Sequence, residues 1–170
     1  MKNFTILFVV ITFFSIAGNS QIRHSVGLRS DLPGRIVRSG MEFTYQMYAT
    51  DVVRLDFGLG LQRAGSSTKF YNLSSVVEGA WNLKAGLNWY IGIGFQLGYY
   101  SRFDEDYDMT IDGFGGGLAA HLGLEYDFTH LDLPFVLSLG SHPLVPILSD
   151  FDGIGYGYNV GLKYTLDGWE

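Results

Sequence analysis

An all-β fold is predicted for this chain of 170 residues, in which eight antiparallel strands close into an up-and-down meander barrel. Three observations predict it. Large apolar residues alternate with small or polar ones in eight separate segments, as in strands with one apolar face. No segment between them shows the 3.6-residue period of an amphipathic helix. The 23 glycines suit a narrow barrel whose backbones approach closely.

The first four predicted strands are read from this alternation and from the turns between them. The first has Val26 and Leu28 on its apolar side and ends at a turn that contains Pro33 and Gly34. The second and third alternate cleanly and are joined by the connection Ala49–Asp51. The predicted outward residues of the fourth are Tyr71, Leu73, Ser75 and Val77. The four ranges are about 22–30, 36–48, 53–62 and 69–77.

The fifth strand, from Leu87 to Tyr99, has the clearest pattern. Its odd positions are all large and apolar, whereas its even positions are small or polar apart from one tyrosine. Trp89 and Tyr99 stand ten residues apart. At about 3.3 Å per residue and a tilt of about 40°, they are separated by roughly 25 Å along the barrel axis, which is the height of the apolar band of a transmembrane β-barrel. The strand therefore has the length needed to cross an outer membrane.

Three further strands complete the set, at about 114–126, 133–139 and 154–166. Acidic loops at 101–112 and 143–153 separate the fifth strand from the sixth and the seventh from the eighth. An even number of antiparallel strands can close into a ring. Closure is required in lipid, because an open edge would leave backbone N–H and C=O groups without partners.

The connections and the aromatic residues predict an orientation. With the N-terminus on the periplasmic side, the connections 49–51, 79–86 and 127–132 lie inside and the two acidic loops lie outside. Aromatic side chains then form two girdles at the membrane boundaries. The predicted girdle residues are Trp89, Tyr126 and Tyr164 near the periplasmic rim and Tyr99, Phe114 and Tyr156 near the outer rim.

The start of the chain is predicted to be a secretory signal peptide, residues 1–20. Lys2 precedes an uncharged apolar run from Phe4 to Ile16, and small or polar residues follow up to Ser20. Residues 21–170 then form one barrel domain. The chain has no cysteine, so neither a lipid-anchored N-terminus nor a disulfide framework is expected.

Charge is scarce in this sequence. Charged residues make up 16% and the formal net charge is −6, whereas soluble domains carry about 25% charged residues. The acidic balance argues against nucleic acid as a partner and against polybasic attachment to anionic headgroups.

Three stretches carry a family resemblance: GLNWYIGIG at 86–94, LGLEY at 122–126 and GLKYT at 161–165. They resemble the small outer-membrane β-barrel proteins of Bacteroidetes-type bacteria, which share the architecture of the OmpA-type eight-stranded barrels. The resemblance implies the fold and an outer-membrane location rather than an activity.

The last strand resembles the C-terminal signal that the barrel-assembly machinery recognises in its clients. Asn159 is followed by Gly161 and then by the hydrophobic Tyr164 and Leu166. The resemblance implies that this machinery is a partner. Family members commonly end on an aromatic residue, whereas here the signal ends at Leu166 and four residues follow.

Charged residues also occur on the faces opposite the apolar stripes, where they would point into the barrel. Arg23 and Arg29 of the first strand belong to this set. The interior of an eight-stranded barrel is filled by side chains, so these charges are predicted to pair with one another. The predicted ionic network of the lumen comprises Glu42, Arg54, Asp56, His121, Glu125 and Lys163. The alternative is a gated pore in which such pairs exchange partners.

No catalytic, cofactor or metal site is predicted. His121 and Glu125 share a strand face about 13 Å apart, too far for one metal ion unless other strands contribute. Lipid-hydrolysing barrels use a histidine and a serine two residues apart, whereas His24–Ser25 and Ser141–His142 are adjacent and point to opposite faces. The acidic loop 104–112 lacks an EF-hand glycine, which leaves a weak divalent-cation site as an alternative to a solvated loop.

The function predicted from the sequence is that of an integral outer-membrane barrel with a structural or surface-interaction role and no catalysis. Its expected partners are outer-membrane lipid, lipopolysaccharide and the barrel-assembly machinery, and a monomer is favoured. A narrow pore for small solutes or ions is one alternative. A secreted, soluble lipocalin-like barrel that binds an apolar ligand is the other, and it would keep its apolar stripes inside.

Overall fold

The computed structural model of the protein describes residues 23–32, 39–64, 68–104, 108–148 and 157–166. Nine strands within these ranges form one antiparallel sheet. The strands are β1 His24–Leu32, β2 Ser39–Tyr48, β3 Val53–Ala64, β4 Thr68–Lys84, β5 Leu87–Asp104, β6 Met109–Asp127, β7 Phe135–Ser141, β8 Leu144–Leu148 and β9 Tyr158–Leu166. The predicted signal peptide lies outside the described residues.

The sheet closes into a ring of eight strand positions. Consecutive strands pair from β1 to β6, β6 pairs with both β7 and β8, β7 pairs with β9, and β9 returns to β1. β7 and β8 together form the seventh strand, because Ser141 faces Leu122 and Leu144 faces Ala119 in one register. They are separated at Pro143, which has no N–H to give to the ladder. The predicted eight-stranded meander barrel is confirmed.

Three predicted loops were too long. β4 continues to Lys84, and the connection to β5 is a tight turn in which Ala85 and Gly86 have φ of 46° and 82°. These positive angles fit the tight turns that join hairpin strands. Most of 101–112 belongs to the paired ends of β5 and β6, and 143–153 contains β8. Acidic residues in both ranges indicated loops. In 101–112 they occur with strand ends beyond the apolar band, which face water and tolerate polar residues, and in 143–153 they follow β8 in the sequence.

The connection predicted at 127–132 contains a short 3-10 helix, Phe128–Leu131. Asp127 caps its first turn, since the Asp127 carboxylate accepts a hydrogen bond from the Thr129 backbone N–H. In the described part of the chain, no helix has the length and apolar character needed to cross a membrane.

The two faces of the sheet have opposite chemistry. Outward side chains are large and apolar, and Ile93 and Phe114 are 64% and 81% exposed. The outward phase predicted for the fourth strand is confirmed, since Tyr71, Leu73, Ser75 and Val77 are exposed. The fully buried side chains are mostly polar, and they include Gln46, Arg54, Asp56, Glu78, His121 and Asn159. This arrangement is the reverse of the one that the soluble lipocalin-like alternative requires.

Glycines on the inward face make room for long side chains of neighbouring strands. A Cβ added at Gly58 would collide with the carboxylate of Glu42 and the hydroxyl of Ser74. One added at Gly92 would meet Glu78. The high glycine content therefore allows a narrow ring to hold large polar residues.

We expect Gly58→Val to destabilise the folded barrel by about 1–3 kcal/mol, because the added carbons displace Glu42 from its partners in a filled interior. Equilibrium unfolding by urea in detergent micelles measures the effect. Leu59→Val, at the next position, which faces outward, is the control, and its free energy of unfolding is expected to stay close to that of the parent. Equal stability of the two variants would contradict the packing role of Gly58.

Candidate functional site

The inward faces of six strands bring charged side chains together inside the barrel. The residues are Arg29 of β1, Glu42 and Gln46 of β2, Arg54 and Asp56 of β3, Glu78 of β4, His121 and Glu125 of β6, and Lys163 of β9. All are buried. We call this set the lumen network. It contains all six residues that the sequence placed in an ionic network.

Arg54 connects opposite sides of the barrel. Its side chain is 0% exposed, its Nε donates to Glu78 Oε2 at 2.7 Å, and its Nη1 donates to Glu125 Oε1 at 2.7 Å. β3 and β6 are not neighbours in the sheet, so the second contact crosses the interior. The guanidinium also lies over the rings of Tyr48 and Tyr90, 5.6 and 5.3 Å from their centroids.

Arg29 forms a second centre of the network. Its Nε and Nη2 donate to Glu42 Oε2 at 2.9 and 2.6 Å, and its Nη1 lies 3.3 Å from Asp56 Oδ1. The other Glu42 oxygen accepts a hydrogen bond from Ser74 Oγ at 3.0 Å. Both oxygens of this buried carboxylate are thus satisfied, as burial of a charge requires.

Lys163 and Gln46 join the two centres. Lys163 Nζ lies 3.4 Å from Glu125 Oε2 and donates to Gln46 Oε1 at 3.0 Å. Gln46 Nε2 donates to Asp56 Oδ2 at 2.7 Å. The result is one continuous set of hydrogen bonds and ion pairs that links β1, β2, β3, β4, β6 and β9.

His121 belongs to a group of three side chains of the types that bind metal ions. Its Nδ1 lies 2.6 Å from Glu78 Oε1, and Asp56, Glu78 and His121 offer ligand atoms within 4.8 Å of one another. However, Glu78 already accepts from Arg54, and Asp56 lies beside Arg29. Cations next to the carboxylates disfavour a bound metal cation, so the donor set fits ion pairing better.

His142 lies between β7 and β8 and contacts the lumen network through His121. Its ring stacks on His121, with centroids 3.8 Å apart and planes 10° from parallel. Its Nε2 is buried and has no hydrogen-bond partner among the described residues.

Several members of the site were not predicted from the sequence. Glu78 was missed because the fourth strand was ended at Val77, although it continues the inward phase of Asn72 and Ser74. Extending the period-two pattern by one step would have found it. Gln46 shares the inward phase of Glu42 but carries no charge, so the pattern of inward charges does not identify it.

Arg23 lies at the rim rather than in the lumen network. Its Nη2 donates to Asp127 Oδ2 at 3.0 Å, beyond the apolar band and beside the 3-10 helix. Burial by itself raises the pKa of the Asp127 carboxyl, but hydrogen bonds from the Thr129 hydroxyl and backbone N–H and the charge of Arg23 lower this pKa below its ordinary value.

The predicted girdle residues make aromatic contacts on the outer surface. Trp89 stacks on Trp81 with ring centroids 4.7 Å apart. Edge contacts join Tyr99 to Phe114, Tyr126 to Phe128 and Tyr164 to Phe135. Tyr156 lies outside the described residues. Three of these contacts join register partners on neighbouring strands, whereas Phe128 belongs to the 3-10 helix that follows β6.

The residues of the predicted assembly signal lie on β9, which closes the ring against β1. Asn159 and Gly161 face inward and are buried, whereas Tyr164 and Leu166 face outward and are exposed. Leu166 stands opposite His24 at the start of the chain's first strand.

An eight-stranded ring with an apolar exterior and an ionic interior is the architecture of the small outer-membrane β-barrels. The barrel domain of Pseudomonas aeruginosa OprF superposes with a TM-score of 0.66 at 13% identity, over 85% of this chain and 96% of that one. Neisserial surface protein A gives 0.61 at 11% identity, over 85% and 97%. The attachment invasion locus protein Ail of Yersinia pestis gives 0.57 at 14% identity, over 85% and 97%. No family model matches the sequence, and neither does any curated protein.

Proposed function

We propose that this protein is an integral outer-membrane β-barrel with a structural or surface-interaction role and no catalytic activity. The observation that carries the proposal is the reversal of burial: apolar side chains cover the exterior while charged ones fill the interior. Monomeric soluble proteins rarely expose apolar patches beyond a few hundred Å². A lipid bilayer is the solvent in which such an exterior is stable.

Closure of the ring supports the same conclusion. In the described part of the chain the ring is closed by the pairing of β7 with both β6 and β9, and β8 pairs with β6. A closed ring satisfies the backbone N–H and C=O groups that lipid cannot. Residues 1–20 serve in this proposal as the signal peptide for export, and both ends of the barrel domain lie on the periplasmic side. The resemblance to barrels of Bacteroidetes-type bacteria is part of the same proposal.

The proposed partners are outer-membrane lipid, lipopolysaccharide and, during assembly, the barrel-assembly machinery acting on Asn159, Gly161, Tyr164 and Leu166. Two structures of the similar protein Ail support a lipid-embedded, anion-binding barrel. One is a backbone structure in a phospholipid bilayer nanodisc, and the other is a complex with the heparin analogue sucrose octasulfate. We propose a monomer, because the ring is closed within one chain.

We favour a filled interior over a gated pore. A water path would require Arg54 to leave Glu78 or Glu125, and each of those contacts is 2.7 Å long. Separating such a pair inside the barrel leaves a buried charge without a partner. Single-channel conductance in planar bilayers distinguishes the two roles.

Cell fractionation combined with gel mobility tests the proposed function. The folded protein is expected to sediment with outer membranes and to migrate differently in gels before and after boiling, because the closed ring resists detergent until heated. Recovery of the folded protein in the soluble fraction would contradict the proposal.

A further inference from the structure

Two cations stand directly opposite one another on the outer surface of the barrel. Arg63 of β3 and Lys69 of β4 are register partners near the end of their hairpin, and both side chains are exposed. The Cβ atoms of such partners lie about 4.5–5.5 Å apart, and like charges at this distance destabilise a sheet. The two charges therefore repel one another, and an anion placed between them would offset this repulsion.

The described part of the chain supplies no such anion. Neither Arg63 nor Lys69 forms an ion pair there. Asp112 lies on the same cross-strand row but faces Ser101 of β5, so it stands two strands away from Lys69. Among the other cations of the described residues, Arg29, Arg54 and Lys163 are buried in the lumen network, Arg23 is at the opposite rim, and Lys84 is at the β4–β5 turn. Arg102 of β5 stands opposite Thr68, in the other phase of the strand alternation from Lys69 and Ser101.

Hydroxyl and apolar groups surround the pair on the same face. Ser101 stands opposite Lys69. In the next outward row, Leu61 stands opposite Tyr71, and Tyr71 stands opposite Tyr99. Aromatic rows of this kind lie at the level of lipid headgroups. The two cations lie one step beyond that level, on the side away from the apolar band.

We propose that Arg63 and Lys69 bind a phosphate group of a phosphorylated glycolipid in the outer leaflet. This inference rests on the proposed function and on the orientation that places the β3–β4 hairpin outside. The planar guanidinium donates two parallel hydrogen bonds to phosphate oxygens, and the ammonium adds a second positive charge. A phosphate between them replaces one repulsion by two attractions.

The position of Arg63 and Lys69 next to an exposed apolar surface favours a lipid phosphate over a soluble anion. A headgroup bound at Arg63 and Lys69 places its acyl chains along the outward residues below, which are apolar and exposed. These are Leu59, Leu61 and Leu73. The same molecule is therefore held by charge at its head and by apolar contact along its chains.

Titration of the folded protein in uncharged detergent micelles tests the site. The ligands are phosphorylated lipid A, the same glycolipid without phosphates, and inorganic phosphate. The readout is the temperature at which the compact gel band is lost. We expect phosphorylated lipid A alone to raise this temperature. For R63A/K69A we expect that a concentration of phosphorylated lipid A about tenfold higher or more is needed for the same rise, because the variant lacks the charged hydrogen bonds to phosphate.

Control variants separate loss of the site from loss of the fold. Lys84→Ala removes an exposed cation at the other end of β4 and leaves the response unchanged. R63K/K69R keeps both charges and retains most of it. If R63A/K69A does not fold, the single variants R63Q and K69Q replace it in the test, and each is expected to reduce the response.

Three results would overturn the inference: an equal response to the glycolipid without phosphates, an equal response to inorganic phosphate, or a full response in R63A/K69A and the single variants. Each leaves the membrane location intact. Failure to sediment with outer membranes defeats the proposed function instead, so the two failures are distinguishable.

Discussion

Replacing Arg54 with methionine is expected to destabilise the folded barrel by about 3–5 kcal/mol. The change removes the cation that holds Glu78 and Glu125 from opposite sides of the interior, each at 2.7 Å. Both carboxylates remain buried, and each loses a cation at hydrogen-bond distance. Methionine fills much of the same space, so the lost charge rather than a cavity causes the effect.

Urea unfolding in lipid vesicles, followed by the intrinsic fluorescence of tryptophan, measures this loss. Arg102→Met is the matched control, because Arg102 lies on an exposed part of β5 near the hairpin end. It is expected to stay within about 0.5 kcal/mol of the parent. The triple variant R54M/E78Q/E125Q also removes the negative charges of Glu78 and Glu125, and it is expected to be more stable than R54M but less stable than the parent. Equal unfolding of R54M and R102M would refute the central role of Arg54.

Ile93→Arg is expected to reduce the stability of the membrane-inserted barrel by about 2–4 kcal/mol, the cost of an arginine facing lipid at the bilayer midplane. Ile93 lies on β5 between the girdle residues Trp89 and Tyr99 and is 64% exposed. In a water-soluble barrel, the same substitution at an exposed position would cost almost nothing.

Folding into vesicles of uncharged phospholipid, scored by the fraction that migrates as the compact form at increasing urea, checks this result. Phe103→Arg is the control. It introduces the same charge on the same outward face of β5 beyond Tyr99, where the cost falls to about 0–1 kcal/mol. Comparable losses in the two variants would show that the exterior near Ile93 does not face lipid.

Strand number and the inward or outward direction of side chains were predictable from the sequence because each depends on a local period of two. Closure was predictable from the even number of strands and from the lack of hydrogen-bond partners for an open edge in lipid. β5 shows this most clearly, with its odd positions outward throughout. Strand ends were less predictable. Beyond the apolar band, polar residues of β5 and β6 are mixed with exposed apolar ones such as Phe103 and Ile111, and their pairing depends on the opposite strand rather than on their own pattern.

The identity of the partners inside the lumen was not predictable. Arg54 and Glu125 are 71 residues apart, and their contact depends on how the strands are staggered around the ring. Alternation assigns a side chain to the interior but not to a height within it. His121 and Glu125 illustrate this point, since they are too far apart along β6 to meet and are linked through Glu78 and Arg54.

The lumen network also constrains the order of events during biogenesis. Three cations and four carboxylates face the axis from strands that are distant in the chain. A β5–β6 hairpin that entered lipid alone would carry Glu125 without its counterions, which are Arg54 of β3 and Lys163 of β9, at a cost of several kcal/mol. Translocation of the hairpins and joining of β1 to β9 must therefore be concerted, with water retained along the axis until the last charge finds its counterpart.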